Sequence, residues 1–159
     1  MRFGKLGPAL FLCVARAFCQ EPSLLVQGVD GGSATLHLSD LDKLPKQTFK
    51  TTDHGAPAVF IGVSVRDILA KVESPVGPKF HGTAASYYLL VEAKDGYRAV
   101  FAWSELDPTV MDKPVYVVTE RDGKPLSEKD GPLQLVAPGE KRGARSVRQV
   151  IALRIKQAN

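Results

Sequence analysis

Lys141, Arg142, Arg145 and Arg148 crowd a short loop that holds Gly139 and Gly143. Two glycines four residues apart let a backbone turn tightly, so that successive N–H groups can face one concavity. Arginines around such a loop add forked donors that match phosphate or carboxylate. The chemistry suggested is anion binding, with Gly139, Arg142, Gly143, Arg145 and Arg148 as the binding set. A small anionic ligand or a protein partner would be bound. From Asp130 onward the only acids are Asp130 and Glu140. The plainer alternative is a solvated basic loop, since a run of charge commits to no geometry.

No other cluster suggests chemistry as directly. Asp53-His54 beside Thr51 and Thr52 could pair a general base with an orienting carboxylate, or simply form a turn. His37, His54 and His81 are far apart, with no partner at metal-ligand spacing, so no metal site is expected. No catalytic residue can be named. Cys13 and Cys19 are the only cysteines and lie in or beside an N-terminal apolar run.

That run, from Leu6 to Phe18, follows Arg2 and Lys5 and is too short to span a bilayer stably. It reads as an export signal over residues 1–19, which leaves one domain over residues 20–159. Cleavage after Cys19 would start the mature chain at Gln20, and cleavage after Ala17 would start it at Phe18. A periplasmic or secreted location is expected. Loss of Arg2, Lys5 and Arg16 with the signal takes the net charge from +4 to +1. The whole-chain pI of 9.1 therefore overstates the basicity of the mature protein, and no nucleic-acid partner is expected.

The elements that must position the loop read as a strand-rich α+β domain with short helices. Strands are predicted over Leu24–Gln27, Ala34–Leu38, Gln47–Thr52, Ala58–Ile61, Tyr87–Ala93, Tyr97–Trp103, Val115–Glu120 and Leu133–Ala137. Apolar periodicity returns after Ser146 through Ile155. Ser64 to Val72 is the strongest helix, with Ser64 as its cap and Val65, Ile68, Leu69 and Val72 on one face. Ser39 and Ser104 are predicted to cap shorter helical turns, and Lys79–Ala85 reads as a weak helix. Tyr87, Tyr88, Tyr97, Phe101 and Trp103 concentrate on one hairpin. Core packing explains them by default, and a stacking platform for a flat ring is the alternative.

The stretch Gly131-Pro132-Leu133-Gln134-Leu135-Val136-Ala137-Pro138-Gly139, followed by Gly143-Ala144-Arg145-Ser146-Val147-Arg148, resembles the pterin-contacting segment of the sulfite oxidase family. Gly62 to Leu69, Asp95-Gly96-Tyr97 and Asp122 to Leu126 match the same family in order. The resemblance runs from about Leu25 to the end. It implies the molybdopterin-binding fold, molybdopterin as cofactor, and Arg145 and Arg148 as residues holding its phosphate end. It also places the family's molybdenum-ligating cysteine near Thr48 to Gly55, a segment with no cysteine in this chain. A thiolate is the family's protein ligand, and threonine is too weak a donor to replace it. The signal lacks the arginine pair usual for exported members. These departures favour a chain without bound cofactor and without redox activity. A molybdopterin-dependent oxidoreductase with an altered metal shell and an accessory periplasmic interaction protein are the alternatives.

Overall fold

The computed structural model describes residues 21–158, apart from His54, residues 75–81 and Asp112. The expected export signal, His54, His81 and the start of the weak helix lie outside the described residues.

Two five-stranded sheets carry the fold. The first is built from β1 (Ser23–Gln27), β2 (Ser33–His37), β5 (Tyr87–Ala93), β6 (Arg98–Ala102) and β10 (Val150–Gln157), in the order β2-β1-β10-β5-β6. The pair β1 and β10 is parallel, with Val26 beside Leu153; the other pairs are antiparallel. The second sheet joins β3 (Lys46–Asp53), β4 (Ala56–Ser64), β7 (Tyr116–Arg121) and β8 (Lys124–Pro125), with β9 (Gln134–Val136) also paired to β7.

Short helices connect these strands: α1 (Leu38–Leu41), α2 (Val65–Leu69) and α3 (Trp103–Leu106). The α2 start follows from its cap, because the Ser64 hydroxyl accepts the Arg66 N–H at 3.1 Å. The other two helices begin before the serines expected to cap them. Ser39 and Ser104 lie inside α1 and α3, whose N-terminal flanks are His37 and Ala102. At α1, the Asp40 carboxylate accepts the His37 N–H at 3.1 Å, which fixes the entry two residues earlier.

The main core draws on both sheets and all three helices. Leu24, Val26, Leu89, Val91, Phe101 and Leu153 of the first sheet pack with Val63, Val117 and Leu135 of the second, and with Leu41, Ile68 and Trp103. A second cluster forms from Ala58, Phe60, Tyr116, Val118 and Val136, with Phe49 and Leu126 against it. Alternate residues of β7 thus enter different clusters, Val117 the first, Tyr116 and Val118 the second. This explains why the run Val115–Val118 shows no polar alternation: both faces of that strand are buried. Phe49 stacks on Tyr116 with ring centroids 4.3 Å apart, and on Phe60 at 5.9 Å.

Where β4 meets β7 the register shifts between Ile61 and Gly62. A side chain on Gly62 would place its Cβ 2.4 Å from the Val117 carbonyl oxygen. Only glycine permits the strands to approach so closely there.

Candidate functional site

The basic loop leaves β9 at Ala137 and reaches the chain leading into β10. Gly139 takes φ +83°, the left-handed conformation expected after Pro138 in a tight turn. Gly143 is not in that conformation; it opens a 3₁₀ turn over Gly143–Arg145, which the Ser146 N–H closes on the Gly143 carbonyl at 3.0 Å. The loop's ends are tied together by paired bonds between Leu135 and Val147, 2.8 and 3.0 Å long. Tyr97, from the neighbouring hairpin, donates its hydroxyl proton to the Ala144 carbonyl.

Arg145 is held on three sides. Its Nε donates to Glu140 Oε1 at 2.8 Å, and its Nη2 pairs with the same oxygen. Its Nη1 donates to Glu105 Oε2 of α3 at 2.7 Å. The guanidinium carbon lies 4.4 Å from the centroid of the Phe101 ring, within cation–π range. Burial opposes the charge, but the hydrogen bonds that Arg145 donates to the Glu105 and Glu140 carboxylates outweigh it and hold the guanidinium above its ordinary range. These groups line a cavity of about 140 Å³ with Lys113, Val115 and Pro138.

Arg148 faces elsewhere. Its Nε pairs with Asp130 Oδ1 at 2.9 Å, and it lines a different cavity, of about 230 Å³, with Asp95, Tyr97, Gly143 and Ser146. The two arginines expected to share one phosphate therefore stand at separate cavities, each beside carboxylate. Arg142 and Lys141 are exposed at the loop's tip. The partners Glu105 and Phe101 lay beyond any local reading of the loop. Glu140 was legible as the one acid inside it, and its place among the cations was the available signal.

The second candidate, Asp53, is buried at the end of β3, and its Oδ2 accepts from Arg121 Nη1 at 2.6 Å. Arg121 also lies over the Phe60 ring, 5.6 Å from its centroid. Of the aromatic hairpin, Phe101 and Trp103 are core residues, and Tyr97 is exposed but tied to Ala144. Among the described residues, stacked rings are found in the Phe49, Tyr116 and Phe60 group instead.

Among the described residues no group of three or more His, Cys, Asp or Glu could hold a metal ion. No helix among them is long and apolar enough to cross a membrane.

Comparison with known proteins agrees with the sheet arrangement. The crystal structure of the sulfane dehydrogenase SoxCD from Paracoccus pantotrophus matches with a TM-score of 0.66 and 19% identity. The match covers 86% of this chain and 38% of that chain, so the likeness is one of fold and the chain spans well under half of its relative. No curated protein matches the sequence. The family model described as the oxidoreductase molybdopterin binding domain matches residues 17–159, and with the match extending over nearly the whole sequence, this chain belongs to that family.

Proposed function

We propose that this chain is an exported, non-redox member of its family that binds a small anion, or an acidic partner, through the Gly139–Arg148 loop. The observation that carries this reading is how the loop is built. A merely solvated connection needs no anchors, yet this one is fixed by Tyr97, by the Leu135–Val147 bonds, by Glu105 and Phe101 around Arg145, and by Asp130 on Arg148. Anchoring of this kind pre-orders a site, so that less freedom is lost when a ligand arrives. Lys141 and Arg142 remain exposed at the tip, where they would attract an anion toward the loop.

The donors of residues 20–159 do not fit a molybdenum cofactor held through a thiolate. Residues 20–159 contain no cysteine, so no thiolate is available to a metal. Asp53, in the segment that the family resemblance assigns to the metal ligand, is engaged by Arg121. We therefore derive no redox step. The family match favours a second reading, a molybdopterin-dependent oxidoreductase with an altered metal shell.

Elemental analysis and pterin fluorescence of protein from a molybdenum-replete host separate the two. The expected molybdenum content is far below one per chain. A one-to-one content with turnover would replace the first reading by the second. The loop is tested by melting temperature. Phosphate should stabilise the fold beyond chloride at equal ionic strength, because an ion bound only by the folded state shifts the equilibrium. That excess should vanish when Arg145 and Arg148 are both replaced by alanine.

A further inference from the structure

The Arg145 cluster holds more negative than positive charge before Lys113 is counted: one guanidinium faces two carboxylates. The carboxylates are not equivalent. Glu105 belongs to α3, whose Trp103 and Leu106 are buried in the core, so its backbone is fixed. Glu140 sits in the loop, one residue after the turn at Gly139 and just before the exposed residues 141–144. It covers the Nε and Nη2 edge of the guanidinium, which is the edge a bidentate oxyanion would take. The Phe101 ring and Glu105 hold the guanidinium in place whether or not Glu140 stays.

We propose that Glu140 is a tethered competitor for Arg145, so that the cavity admits only oxyanions able to displace a carboxylate, with phosphate and sulfate the simplest. This rests on the reading of the loop as an anion site and names what limits entry to it. A tethered group acts at an effective concentration on the order of millimolar or more, so a free monocarboxylate gains nothing by replacing Glu140. A divalent oxyanion offers stronger charge and an equally good match to the guanidinium fork, and can therefore win. Once displaced, Glu140 can turn to solvent from the exposed loop.

The test is titration of phosphate, sulfate and acetate against the full chain by calorimetry and by melting temperature, at fixed ionic strength. The parent is compared with Glu140→Gln, Glu140→Ala, Arg145→Ala and Glu128→Gln. Glu128 is exposed and lines a different cavity, so its replacement controls for the loss of one surface charge. Half-saturation by phosphate should fall at least tenfold in Glu140→Ala, less in Glu140→Gln, and not at all in Glu128→Gln. Acetate should bind only when Glu140 has been replaced. If the parent binds phosphate through Arg145 and the Glu140 variants bind it no better, the competitor is refuted and the anion site stands. If neither the parent nor any variant binds phosphate beyond the chloride control, both ideas are refuted. Calorimetry well below the unfolding temperature keeps the comparison valid for a less stable variant.

Discussion

Asp53 and Arg121, 68 residues apart in sequence, meet through a 2.6 Å hydrogen bond that ties the end of β3 to the end of β7. The Asp53 side chain is 5% exposed and that of Arg121 is 31% exposed, so the acid is the more deeply buried partner. Removal of the arginine should therefore cost more than an ordinary surface pair. Arg121→Gln is expected to lower stability by about 1–3 kcal/mol, the range for a buried polar group that loses a hydrogen-bond partner. Urea unfolding measures this, and an unchanged midpoint would show that Asp53 is satisfied without Arg121.

Gly62→Ala should be costlier than its single methyl suggests. The added Cβ would come within 2.4 Å of the Val117 carbonyl, and 2.7 Å of the Val118 Cα, both backbone atoms in a paired strand. The strands must separate to admit it, which should cost about 1–3 kcal/mol, as for other overpacked sites. Thermal unfolding reports the loss. A fully stable variant would show that the shifted register between β4 and β7 yields easily.

Glu92 should make the first sheet sensitive to acid. The hydrogen bond from Arg154, 2.6 Å long, is the main cause that holds its carboxyl below the ordinary carboxylate range; burial works in the opposite direction. A carboxyl depressed in the folded state stabilises the fold above its unfolded pKa, and that contribution is lost as pH falls through the folded value. Stability should thus be level near neutrality and decline below about pH 4.5, the ordinary value for a glutamate. Glu92→Gln should narrow its deficit against the parent as pH falls. A deficit that stays constant from pH 7 to pH 3 would contradict the assignment.

Tyr97→Phe should loosen the basic loop without unfolding the protein. The hydroxyl donates to an exposed carbonyl that water can serve instead, so the stability loss should stay below about 1 kcal/mol. The Ser146 amide, bonded to Gly143 inside the same turn, should exchange its hydrogen faster. An unchanged exchange rate would mean that the loop's other anchors hold the turn without Tyr97.

Local chemistry made much of the fold legible, and long-range contacts were hidden from it. Ser64 marked the start of α2 because a cap acts within one turn. The gap between the predicted strands Tyr87–Ala93 and Tyr97–Trp103 holds the bend between β5 and β6, where the Asp95 carboxylate accepts the Tyr97 N–H at 2.9 Å. Ser39 and Ser104 misled because a serine hydroxyl suits a cap but does not require one, and Asp40 supplied the entry to α1. The Phe49, Tyr116 and Phe60 stack joins three strands whose order no local pattern reveals. The loop's cations were readable one by one. The Glu105 contact on Arg145 was not, since the two lie 40 residues apart. The Asp130 to Arg148 pair was within reach, since Asp130 is one of only two acids in the basic stretch that it opens.

The placement of β10 between β1 and β5, parallel to the first and antiparallel to the second, has a consequence for how the chain is made. During synthesis the β1–β2 and β5–β6 hairpins emerge first, each with the edge that β10 will cover still open. Neither can join the other, because the strand that bridges them is translated after both. The first sheet must therefore stay in two halves until Val150–Gln157 clears the ribosome, with apolar residues such as Leu24, Val26, Leu89 and Val91 awaiting Leu153 and Ile155. Long-range closure of this kind slows folding and lengthens the time during which sheet edges are exposed. A chain stopped before β10 would be left with two hairpins open to pairing with other chains.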